Sequence, residues 1–93
     1  MILKKELKVL VVIERMTEMG KVPYYTSIWN ALQEVDDFSK STLHNAIDHL
    51  IDMTAITASW EKVEENGRAV WVRQFKVGEY NIGFAKKIVQ ELW

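Results

Sequence analysis

A mainly α fold with one β-hairpin is what this sequence predicts, in the order helix, short strand, helix, helix, strand, strand, helix. Three observations carry the prediction. Residues 38–50 have a small polar start followed by one apolar and one polar stripe at helical spacing. Two β-rich runs flank Asn66-Gly67, the dipeptide favoured in two-residue hairpin loops. Leu3 to Met19 lacks Gly and Pro and is rich in Leu, Lys, Glu and Val, as a long helix should be.

The first helix is expected to stop at Gly20, with Pro23 soon after. Leu3, Leu7, Leu10 and Val11 lie on one side, and Ile2, Val9, Ile13 and Met16 about a right angle or more away. A helix apolar over so much of its circumference is buried on two sides. In so short a chain, one side is expected to face its own core and the other a second subunit. Val22 to Tyr25 reads as a short strand. Thr26 or Ser27 then caps a second helix over about Ser27–Glu34, with Ile28, Ala31, Leu32 and Val35 inward. Phe38 is an apolar plug at the next turn, and Ser39 is the N-cap of a third helix running to about Met53.

Pairing Glu65 with Arg68 around a type I′ turn sets the hairpin register. Lys62 then faces Trp71, Trp60 faces Arg73, Ala58 faces Phe75 and Ile56 faces Val77, while Val63–Val70 and Glu61–Val72 share the other face. Ile56, Ala58, Phe75 and Val77 should cover the helices. Trp60–Arg73 and Lys62–Trp71 read as cation–π pairs, each worth about 0.5–1 kcal/mol when exposed. Glu79 to Trp93 reads as a final helix with Phe84, Ile88 and Leu92 on one side, and its internal Gly83 costs about 1 kcal/mol relative to Ala.

Ninety-three residues fit one domain, 1–93. Such a chain leaves much of its surface exposed and, having no cysteine, lacks disulfide or thiolate-zinc support. Its 48% hydrophobic content points instead to a partner surface. The longest apolar run, Val9 to Ile13, is far too short to cross a bilayer. The N-terminus has no signal-peptide h-region, so a cytoplasmic location is expected. Net charge is −1, with six Lys/Arg and eight Asp/Glu in residues 1–54 against six and five in residues 55–93. Any nucleic-acid contact therefore needs a local patch.

The third helix offers one. Leu43, Ala46, Ile47 and Leu50 cluster within about 100° of arc, and Ser41, Asn45, Asp48 and Asp52 lie opposite, flanked by Thr42 and His44. Its N-terminal half thus displays Ser41, Thr42, His44 and Asn45 behind Lys40. Asn suits a bidentate contact to an adenine edge. Helix N-termini attract phosphate oxygens, a role that Thr26 and Ser27 suit at the second helix.

With its hairpin following, Phe38-Ser39-Lys40-Ser41-Thr42-Leu43-His44-Asn45-Ala46-Ile47-Asp48-His49-Leu50 resembles the recognition helix of winged helix–turn–helix transcriptional regulators, of MarR and PadR type and their small archaeal and viral relatives. Thr54-Ala55-Ile56 stands where such proteins often have a Gly-containing step into the wing. The resemblance implies base reading by Ser41, Thr42 and Asn45, phosphate contacts from Lys40 and His49, and a wing tip at Asn66 and Arg68 on the minor groove or backbone. It also implies a homodimer through the terminal helices, with Ile2, Val9, Ile13, Met16, Phe84, Ile88 and Leu92 at the interface. Where relatives often carry Arg or Lys, this chain has Asn45, Asp48 and His49, and Glu64 and Glu65 make the wing less basic. Lys40, Lys62 and Arg68 in a dimer neutralise about six phosphates, for a slope of log K against log salt of about −5.

Other chemistry has little footing. His44 and His49 are about 140° apart on a helix and cannot share an ion. Gly20, Gly67, Gly78 and Gly83 are scattered, with no phosphate-binding loop and no Gly-x-Ser-x-Gly nucleophile, so neither an enzyme nor a cofactor is expected. The aromatic residues Trp29, Trp60, Trp71, Trp93, Tyr24, Tyr25 and Tyr80 fit packing better than a ligand pocket, and no residue specifies a small effector. The rival reading is a winged helix that binds protein and not DNA, which the near-neutral charge and acidic wing favour.

Overall fold

Residues 4–34 and 38–78 are described by the computed structural model of the chain. The expected final helix with Phe84, Ile88 and Leu92 lies outside them, as does Ile2. Helix α1 spans Lys4–Glu18 and ends in a Schellman motif. Lys21 N–H donates to Met16 O at 2.9 Å, and Gly20 N–H donates to Thr17 O at 3.1 Å, with Gly20 at φ +74°. Every residue from Val9 to Glu14 is buried, so no side of that stretch is left to solvent. Val9, Ile13 and Met16, expected at a partner's surface, belong to the chain's own core cluster. The angular reading was right about a helix covered on more than one side. The three residues nevertheless meet Ile28, Leu32, Ile47, Leu50 and Phe75 in that core, not a second subunit.

Residues 22–24 are not a strand. They are irregular backbone tied to the hairpin by one hydrogen bond, from Phe75 N–H to Pro23 O at 2.8 Å. Pro23 cannot donate, which limits how far pairing can run there. Helix α2, Tyr25–Gln33, has Tyr24 in the cap position, two residues before Thr26 and three before Ser27. Ser27 acts from the third helical position, where its Oγ accepts the Tyr24 N–H at 2.9 Å. Phe38 is buried as the plug between helices, and Gln33 Nε2 donates to its carbonyl at 3.0 Å.

Helix α3, Lys40–Asp52, is capped by Ser39 Oγ, which accepts the Thr42 N–H at 3.0 Å. It closes with a second Schellman motif. Ala55 N–H donates to Leu50 O and Thr54 N–H to Ile51 O, both at 2.9 Å. Here the left-handed position is Thr54, at φ +57°.

Strands β1, Ile56–Glu65, and β2, Arg68–Val77, form an antiparallel hairpin in the expected register throughout. Asn66 and Gly67 both have positive φ, as a type I′ turn demands. Ile56, Phe75 and Val77 cover the helices, but Ala58 is exposed, because at that rung Pro23 and Tyr25 cover its partner Phe75 on β2 and leave β1 open. The expected cation–π pairs are also absent among the described residues. Arg73 lies over Phe75 at 5.7 Å, Lys40 over Trp29 and Lys5 over Phe38, while Trp60 and Trp71 have no cation partner among the described residues.

Candidate nucleic-acid interface

Half of α3 is committed to the core through Leu43, Ala46, Ile47 and Leu50. The other half is bare. Ser41, Asn45, Asp48 and Asp52 are all exposed along its centre, with Lys40 and His44 on one flank and half-buried Thr42 with His49 on the other. Ser41 and Asn45 in the first two turns are therefore open to a groove, while Thr42 Oγ1 accepts from Ser39 Oγ at 2.7 Å. The two carboxylates sit further along, where they confine close approach of a polyanion to the N-terminal half.

Each flank is held by a different helix. On one, Thr42 and Asn45 share a shallow groove with Lys4, Lys5 and Glu6 at the start of α1. Lys4 and Lys5 are exposed, so two cations that the sequence reading passed over stand beside the displayed residues. Only the packing of α1 against α3 brings them there, and no spacing within residues 38–50 encodes it. His49 points back into this flank. Its Nδ1 pairs with Oε2 of the buried Glu6, so it steadies α1 against α3 and is not held out toward a phosphate. A buried carboxylate needs such a partner.

On the opposite flank, Tyr25 stacks on His44 with ring centroids 4.3 Å apart, and meets Phe75 edge-on at 5.2 Å. This one side chain links α2, α3 and β2. Burial pushes the Tyr25 phenol above its usual value of 10.0, the Asp48 charge pushes the same way, and Arg73 opposes them. Lys40 Nζ sits 5.3 Å from the Trp29 ring centroid. With Tyr25, Thr26, Asn30 and His44 these two line a cleft between α2 and α3. Thr26 is exposed at the first turn of α2, able to meet a phosphate there. Ser27 is not so placed. It is half-buried, and its hydroxyl lies 2.9 Å from Val22 O and 3.0 Å from Tyr24 O, so its proton is given to the chain itself.

Lys62, Asn66 and Arg68 are exposed on the outer hairpin, away from the helices. The structure thus brings together Thr26, Lys40, Ser41, Thr42, His44 and Asn45, adds Lys4, Lys5, Tyr25 and Arg73, and sets the wing-tip group apart.

Two solved structures share this fold. A PadR family transcription regulator from hypervirulent Clostridium difficile R20291 superposes with a TM-score of 0.64 at 17% identity, over 89% of this chain and 84% of that one. The circadian clock associated protein Pex from Anabaena superposes with a TM-score of 0.68 at 24% identity, over 97% of this chain and 77% of that one. The fold is a winged helix. No protein-family model matches the chain, and neither does the sequence of any curated protein. Within the winged helix, α2 and α3 are the helix–turn–helix and the β1–β2 hairpin is the wing.

Proposed function

We propose that this winged helix is a sequence-specific transcriptional regulator that binds double-stranded DNA as a homodimer, with α3 in the major groove and the wing on the backbone or minor groove. The observation that carries the reading is the bare N-terminal half of α3, where Ser41 and Asn45 are exposed between flanking cations. The shared fold with a PadR family transcription regulator supports it. Ser41, Thr42 and Asn45 read base edges, while Lys40, Thr26, Lys4 and Lys5 hold phosphates. Two copies place their α3 helices about one duplex turn apart. With Lys4 and Lys5 added to Lys40, Lys62 and Arg68, a dimer neutralises about ten phosphates, and the salt slope steepens to about −9. The dimer draws its support from the short, apolar-rich chain, since Val9, Ile13 and Met16 are used internally.

The test is selection from random duplexes by gel shift, followed by two variants. Asn45→Ala should relax preference at one base pair by about 1–3 kcal/mol. Arg68→Ala should weaken all sequences alike. Identical behaviour of the two variants would remove the division between base reading and backbone contact. Failure to enrich any sequence at low salt would favour the protein-binding reading, to which exposed Asp48 and Asp52 lend support. A sedimentation mass of one chain at micromolar concentration would overturn the dimer.

A further inference from the structure

Trp60 and Trp71 are 67% and 65% exposed, and with Met19 they are the large apolar side chains left open among the described residues. They occupy one face of the hairpin. Trp60 pairs with Arg73 and Trp71 with Lys62, which makes the two indoles diagonal neighbours. Neither ring is engaged by another ring or by a cation among the described residues. The adjoining positions on that face, Ala58 and Ala69, are small and exposed, so the flat faces of the indoles stay accessible.

Two features say what covers them. The first is continuity. From His44 on α3 the stripe runs through Tyr25 to Arg73, which share one surface depression above the buried Phe75, then across the register to Trp60 and on to Trp71. A ligand held by α3 is thus led onto the wing. The second is charge. Lys62 and Arg73 are exposed on the same face against the single carboxylate of Glu64, so this patch is locally basic in a chain of net charge −1. Aromatic rings interleaved with cations suit a strand whose bases are open.

We infer that Trp60 and Trp71, with Lys62 and Arg73, form a stacking platform for unpaired bases flanking the duplex held by α3. The inference rests on the DNA-binding reading of α3. It goes further in adding a wing contact on the strand face beside the one at the tip, and in requiring bases out of the stack. A paired duplex buries its base faces, so indoles could stack only where the strands are open.

The experiment compares a mixed-sequence duplex with blunt ends, the same duplex carrying a short oligothymidine flank, and oligothymidine alone, by fluorescence anisotropy. The wild-type chain should bind the flanked duplex about ten-fold or more tighter than the blunt one. Trp60→Ala and Trp71→Ala should each remove much of that gain, and the double variant all of it, with blunt-duplex affinity unchanged. Indole emission should be quenched by oligothymidine in the wild type and not in the double variant. Because both residues are exposed, thermal unfolding should confirm that the variants are folded. Trp60→Leu with Trp71→Leu keeps apolar bulk without a π face and should behave like the alanine pair. Retained affinity in the leucine pair would overturn stacking. If the flank adds nothing while blunt duplex still binds, this inference fails and the major-groove reading stands. If the flank binds through the two tryptophans while no duplex sequence is ever selected, the platform stands and the major-groove reading fails. Affinities unmoved by both tryptophans would exclude nucleic acid here and leave the face to a protein.

Discussion

Helices α1 and α3 have 15 and 13 residues and pack against each other, yet only α3 keeps an open face through its middle. On α1 even Glu6 and Glu14 are buried, at 5% and 7% exposure, and Val9 to Glu14 is covered on every side. On α3 burial stops at the apolar stripe, and His44, Asn45 and Asp48 remain open. A helix enclosed through its middle anchors the fold and fixes its neighbours. A half-enclosed helix gains its position from the anchor while its polar half is left for a partner. The Glu6–His49 pair is where the two meet, with one side chain of α3 satisfying a charge that α1 has buried.

The largest effect expected from this contrast is in the core. Ile13→Ala on α1 and Ile47→Ala on α3, both fully buried, should each cost about 2–5 kcal/mol in urea unfolding. Asn45→Ala, two residues from Ile47, should change stability by less than about 0.5 kcal/mol. The Ile13→Ala loss should not depend on protein concentration. A loss that grows on dilution would return Ile13 to a subunit interface and undo the view of α1 as an internal anchor.

A smaller effect lies at the helix ends, which close with the same motif around different residues. Gly20 ends α1 at φ +74°, and Thr54 ends α3 at φ +57°. A β-branched residue there is strained, and the left-handed conformation costs about 1–2 kcal/mol. Thr54→Gly gives part of that back as greater freedom of the unfolded chain, so a net gain of about 1 kcal/mol is expected, or roughly 4–8 °C in Tm. Gly20→Thr should lose about as much. A Cβ at Gly20 would meet nothing within 4 Å, so the loss would come from the backbone alone. Equal melting temperatures for Thr54→Gly and wild type would mean that other contacts of Thr54, such as its Oγ1 bond to Met53 O at 2.6 Å, offset the strain.

What the residues reveal in advance follows the range of the interaction. The hairpin register is legible because Asn66-Gly67 confines the turn and alternation does the rest, and the α3 stripe is legible because its period lies within one helix. Ser39 as a cap and Phe38 as a plug are local too. Ser27 misleads by three residues, since a serine can serve a helix start from either the cap or the third position. Ala58 is misplaced because alternation says which face it takes but not which of the two paired strands is covered at that rung. The Tyr25–His44 stack, the Glu6–His49 pair and the nearness of Lys4 and Lys5 to Asn45 all join separate elements. They could be found only after three helices and a hairpin had been packed. The site's centre was therefore readable and its flanks were not.

The smallest effect separates the two flanks of α3 by pH. Tyr25 is held above its usual pKa of 10.0 by burial first and by Asp48 second, against Arg73. The fold thus favours the neutral phenol more than the unfolded chain does. This contribution is complete below pH 10, where both states are protonated. It declines as pH climbs from 10 through the higher folded value, because the unfolded state loses its proton first. Tyr25→Phe keeps a ring for His44 and Phe75 and has no proton to lose. Unfolding free energies measured from neutral pH to beyond pH 10 should run parallel for the two proteins on the neutral side. Above pH 10 the wild type should fall more steeply. Parallel curves over the whole range would mean that the phenol is as well solvated as in the unfolded chain, and that the Tyr25 flank is as open as the centre of α3.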